Sequence, residues 1–216
     1  MEGRGWKLLK TAVAVVFLWL LVDRAFPSIP LSFISHEPAP LPDPLAEPEQ
    51  RTERERGPWT DKRRGDLFTI TPRATYDVTA LVANTERYWQ GPTGALAPWD
   101  FVLTWGELTR EPYLSKVSYV QTGRFYNWST SDESLDLAYI VSHSANTHLI
   151  PATSRVASVL RRVHRGDVVR LEGDLVDVAG PGGLTWKTSL SRTDSGEGGC
   201  ELMVVRAVTV GARRFR

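Results

Sequence analysis

PATSRVASVLRRVHRGDVVRLEGDLVDV, residues 151–178, is the stretch whose reading decides the fold. After Ser154 the apolar residues fall at Val156, Val159, Leu160 and Val163, the i, i+3, i+4, i+7 stripe of a helix that buries one face. Thr153 or Ser154 can cap the free N–H groups of its first turn. Arg161, Arg162, His164 and Arg165 suit the negative end of its dipole, and Gly166 supplies a left-handed stop. The apolar period then changes to two, through Val169, Leu171, Gly173 and Leu175. A helix locked between strands is expected at the centre of the domain.

On the C-terminal side, Gly180-Pro181-Gly182-Gly183 reads as a turn, Thr185 to Leu190 as a strand, Asp194 to Gly199 as a Gly-rich turn, and Cys200 to Val210 as a strand. On the N-terminal side, Tyr76, Val78, Ala80 and Val82 alternate with Asp77 and Thr79 as a strand. Gly91, Pro92 and Gly94 break the chain. Ala97-Pro98-Trp99-Asp100 has Pro and an acid where a helix start wants them, with Gly106 as its stop, so a helix of two turns is expected there. Val117 to Trp128 and Leu135 to Ser142 are rich in β-branched and aromatic residues and read as a hairpin around the polar Asn127 to Glu133.

Strands, a capped helix and more strands in one small domain predict a β-rich α+β fold, an OB-like β-barrel with one main helix plugging an end. Gly123 and Gly173 fit the bulges or bends that close such a barrel. The alternative with nearly the same pattern is an open antiparallel sheet with the helix on one face.

Residues 1–26 join Arg4, Lys7 and Lys10 to the uninterrupted apolar run from Ala12 to Val22. With the lysines snorkelling, Leu8 to Phe26 reaches roughly 28 Å as a helix, near the ~30 Å of a hydrocarbon core. A transmembrane anchor is expected. A cleaved signal peptide is the main rival, but Asp23, Arg24, Phe26 and Pro27 stand where a small-x-small cleavage site belongs; a buried core helix is the third reading. The basic residues precede the span, which places the N-terminus in the cytoplasm and the rest across an inner membrane. Residues 27–66, with eight prolines from Pro27 to Pro58 and mixed charges, read as a semi-rigid linker, and residues 67–216 as the extracytoplasmic domain.

Twenty-six Lys and Arg against 25 Asp and Glu give a net charge of +1, which offers no electrostatic drive toward nucleic acid. A lone Cys forms no internal disulfide, and no Cys/His cluster has zinc spacing. No metal or cofactor is expected.

Four islands carry a resemblance: Ala97-Pro98-Trp99-Asp100 on to Trp105-Gly106; Arg124-Phe125-Tyr126-Asn127-Trp128; Ser144-Ala145-Asn146-Thr147-His148-Leu149-Ile150-Pro151-Ala152; and Asp194-Ser195-Gly196-Glu197-Gly198-Gly199-Cys200-Glu201. Together they resemble an unnamed bacterial family of single-pass envelope proteins. The resemblance implies a bacterial, membrane-tethered, extracytoplasmic domain and carries over no catalytic residues.

His143, Ser144, Asn146 and His148 lie close in sequence, and with Cys200 they supply the residue types of a thiol-dependent site. Against this, Cys200 shares strand parity with Leu202 and Val204, which points it toward the core as a small inert hydrophobe. His143 and His148, five residues apart, would leave a strand on opposite faces, which is poor metal geometry. Asn146 and His148 are expected to shape the turn into Pro151. The Gly-rich stretch before Cys200 lacks the Lys-Ser/Thr of a phosphate loop.

The aromatic residues are the more promising feature. Tyr126, Trp128, His148 and Trp186 are the candidate binding residues, since an exposed pair of rings makes a stacking platform for a sugar or peptide. The expected function is a membrane-anchored extracytoplasmic binding or assembly module, its partners the bilayer through residues 8–26 and a glycan, peptide or envelope protein. The alternative is an envelope hydrolase using Cys200 with His143 or His148.

Overall fold

The computed structural model describes residues 31–53, 55–193 and 199–216. The chain forms two compact units, Met1–Ser35 and His36–Arg216. The described part of the first contains a single 3-10 turn, Leu31–Phe33.

Two short strands, β1 (Glu37–Pro38) and β2 (Glu49–Thr52), and β3 (Trp59–Arg63) lead into the 22-residue β4 (Asp66–Arg87). Along β4 the side chains alternate, and Phe68, Ile70, Ala74, Tyr76, Val78, Ala80 and Val82 are buried. After α1 (Gly91–Leu96) comes β5 (Trp99–Thr104), buried on both faces past its first residue. A short helix α2 (Tyr113–Lys116), the hairpin β6 (Ser118–Thr122) and β7 (Phe125–Ser129), and α3 (Leu137–Ser142) form an insertion before β8 (Ser144–Pro151). Next are α4 (Ser154–Leu160) and β9 (Val168–Ala179). The chain ends with β10 (Thr185–Trp186), β11 (Glu201–Val210) and β12 (Arg213–Phe215).

All of these strands except β6 and β7 belong to one ten-stranded mixed sheet. Five close on themselves: β4 pairs with β5, β5 with β8, β8 with β11, β11 with β9, and β9 with β4. Only β8 and β11 run parallel. Closure brings backbones together at Gly173, where a Cβ would lie 1.9 Å from the Val204 carbonyl oxygen. Only glycine fits that approach. The connection from β8 to β9 is α4, with Val156, Val159 and Leu160 fully buried and Val163 nearly so in the turn beyond it. Thr153 caps it by accepting from Val156 N at 3.1 Å.

Several expectations need correction. Among the described residues no helix is long and apolar enough to cross a membrane. The transmembrane architecture and the single-pass, inner-membrane, periplasmic placement are overturned on that finding. Residues 1–26, from which they were read, lie outside the described residues. The small one-helix barrel gives way to a larger mixed sheet of ten strands, only five of them in the closed circuit, and the parallel β8–β11 pair likewise replaces the open antiparallel alternative.

Locally, the two-turn helix expected from Ala97 is strand β5, because a strand covered on both faces has no polar period to show. Leu135 to Ser142 is helix α3 rather than a strand. Asp136 caps it, accepting from Ala138 N at 2.9 Å and Tyr139 N at 3.2 Å. The hairpin therefore runs from Ser118 to Ser129, almost wholly inside the expected stretch Val117 to Trp128. Its two-residue turn is Gly123-Arg124, with φ of 58° and 77°, the paired positive values of a type I′ turn rather than a bulge. From Glu37 to Arg63 the proline-rich segment contributes strands that pair with β4 and β12.

If α4 is a pillar of this core, Leu160→Ala should cost about 2–5 kcal/mol, as for a fully buried Leu. Arg161→Ala, on the exposed side of the same turn, should stay within about 0.5 kcal/mol of the parent. Urea unfolding of both variants beside the parent checks the contrast.

Candidate functional site

Strand register builds the site. Asp100 on β5 lies directly opposite His148 on β8, and His148 lies beside Leu202 on β11. Asp100 is fully buried and His148 is 3% exposed. Their side chains meet, with His148 Nδ1 2.9 Å from Asp100 Oδ2, although neither atom has an aligned hydrogen-bond partner. Two bare lone pairs at that distance would repel, so a ring proton belongs on Nδ1, and in the neutral form of the ring Nε2 is then the acceptor.

A buried carboxylate also needs a full counter-charge. It comes from the hairpin turn: Arg124 Nη1 donates to Asp100 Oδ1 at 2.8 Å and to the Ala97 carbonyl at 2.9 Å. The Arg124 guanidinium lies 3.9 Å above the Tyr88 ring and 5.2 Å from the Trp186 ring, and the Arg124 N–H donates to the Tyr88 hydroxyl at 2.9 Å. Burial pulls the guanidinium below the usual arginine value, opposed by the charge of Asp100. Burial also raises the Tyr88 phenol. A positive φ at an arginine is strained, and these contacts hold it.

Asn146 ties the turn down from below. Its amide donates to the Arg124 carbonyl at 2.9 Å, and its oxygen accepts from Gln121 Nε2 at 2.8 Å. Cys200, next to Asn146 across the β8–β11 pair, is half-buried rather than sealed in the core, with its sulfur 3.8 Å from the Asn146 amide nitrogen.

Above this floor opens a pocket of about 480 Å³. His148 and Cys200 reach it from below, Arg124 and Phe125 from the hairpin turn, and Trp186 and Lys187 from the segment after β9. Trp186 packs against the cluster of Phe68, Ile70, Leu96, Ile150 and Leu202, which fixes its plane. Its ring centroid is 4.8 Å from that of His148. The arrangement is a rigid indole platform beside one hydrogen-bond acceptor, with cationic groups on the wall.

Of the four candidate binding residues, the pocket therefore joins His148 and Trp186. Tyr126 and Trp128 lie elsewhere. Tyr126 stacks on Tyr119 and its hydroxyl lies 3.1 Å from Ser144 Oγ, while Trp128 packs against the satellite core of Leu108, Val117, Leu135 and Ile140. His143 ends α3 and does not line this pocket; it stacks on Tyr139 and lies 2.8 Å from Glu47. No group of His, Cys, Asp or Glu able to hold a metal occurs among the described residues.

Asp100 and Arg124 were not among the residues singled out as candidates. The available signal was one carboxylate inside the apolar run Trp99 to Trp105, which must be paired if that run is buried. No protein-family model matches the chain, and no curated protein or solved structure gives a significant match.

Arg124→Ala would leave Asp100 buried without its cation. Breaking such a pair should cost about 3–5 kcal/mol, while Arg124→Lys, which keeps the charge but loses the planar group over Tyr88, should cost less. Thermal or urea unfolding of the two variants checks the order.

Proposed function

We propose that the His36–Arg216 unit is a binding module that takes a ring-bearing group of its ligand into the pocket beside Trp186. The observation that carries this reading is the part-exposed indole that lines the pocket, held against core residues and with the His148 ring centroid 4.8 Å from its own. A fixed aromatic surface offers contact area at little entropic cost, and a nearby acceptor orients what lies on it.

A second reading is favoured by one observation: Cys200 and His148 reach the same pocket, and His148 is backed by Asp100. A thiol with such a dyad could act as a nucleophile with its base. His143 has no part in it, being held by Glu47 and Tyr139.

Binding of the full chain to arrays of glycans and of peptides tests the first reading. Trp186→Ala should weaken capture about tenfold or more, since a stacked ring contributes on the order of 1.4 kcal/mol. Cys200→Ala should leave capture intact. Equal capture by parent and Trp186→Ala, both folded, would contradict the proposal, and turnover of a captured ester or amide that vanishes in Cys200→Ala would favour the thiol reading.

A further inference from the structure

Among the described residues the charges around the pocket do not balance: Arg124 and Lys187 are its cations, and no carboxylate lines it. Arg124 is already matched by Asp100 at 2.8 Å beneath the floor. Lys187 is exposed and forms no ion pair among the described residues, which leave one positive charge at the mouth of the pocket unmatched. A ligand group with a single negative charge fits there.

The other two positions fix what that group is attached to. The exposed part of Trp186 takes a ring, and His148, when neutral with its proton on Nδ1 against Asp100, offers an acceptor at Nε2, so the ring must bring a donor. Thr93 and Thr185 hydroxyls lie on the same walls and can serve either sense of hydrogen bond. A phosphate would call for a fork of guanidinium or backbone donors, whereas Arg124 gives Nη1 to Asp100 and the Ala97 carbonyl and its unpartnered Nη2 is buried. An unsubstituted aromatic ring would leave the acceptor and both hydroxyls without partners.

We propose that the pocket recognises an acidic sugar of the uronic-acid type. Its apolar ring face lies on Trp186, a hydroxyl donates to His148 Nε2, and the carboxylate lies against Lys187. The inference rests on the binding role proposed for this pocket and deepens it by naming the ligand class.

Titration calorimetry of the full chain with trigalacturonic acid and with its fully methyl-esterified form tests it, because the two differ in charge and share the hydroxylated ring. The acid should bind at least about tenfold more tightly at low salt, with the advantage shrinking as salt screens the exposed lysine. Lys187→Glu, an exposed substitution that leaves the core untouched, should abolish the preference for the acid while the ester binds as before. Trp186→Ala should weaken both.

Equal binding of acid and ester, or an acid preference that survives in Lys187→Glu, would overturn the proposal. If neither sugar binds while array capture still depends on Trp186, the acidic-sugar assignment falls and the binding role stands. If capture too is independent of Trp186, both fall.

Discussion

Asp100 sits in a strand whose side chains are all covered from that residue onward, and it is itself without solvent exposure. A lone carboxylate in such a place would be several kcal/mol out of balance. Two groups from distant parts of the chain offset that cost: the Arg124 guanidinium from the hairpin turn and the His148 imidazole from the neighbouring strand. The hairpin is thereby pinned to the closed sheet at its tip. With it come Phe125 and the strained Arg124 backbone, which form one wall of the pocket. Structure and site share this one charge.

The sheet makes the juxtaposition possible. Asp100 and His148 meet because β5 and β8 pair in one register, and a slip of one residue between them would put the two side chains on opposite faces. That register is held by closure. β8 lies between β5 and β11, all eight of its residues buried, and β11 turns back onto β9 across the glycine at 173. Trp186 is placed by the same closure, since β10 pairs with the end of β9 and sets the indole against the core.

What was legible in the sequence is what local period encodes. Val156, Val159, Leu160 and Val163 mark a helix with one buried face, and the alternation from Val169 marks a strand. Strand β5 is hidden by its own burial: Pro98 and Asp100 imitate a helix start, and an all-apolar run shows no period to refute it. Asp136, an N-cap, was outweighed by the aromatic and β-branched residues that follow it. The strands between Glu37 and Arg63 pair through backbone on largely exposed positions, so they leave no apolar pattern. In the site, His148 and Trp186 were visible as residue types. Asp100, Arg124 and Lys187 became site residues only through pairings between segments far apart in sequence, which no local pattern records.

The central claim is that the buried Asp100 fixes the His148 tautomer and so aims a lone pair into the pocket. Long-range proton–nitrogen correlation spectra of the imidazoles, recorded near pH 8 where an ordinary histidine is neutral, observe this directly. The His148 signals, assigned by their loss in His148→Phe, should show Nδ1 protonated and Nε2 bare. A proton on Nε2 with a bare Nδ1, or rapid exchange averaging the two nitrogens, would contradict the account.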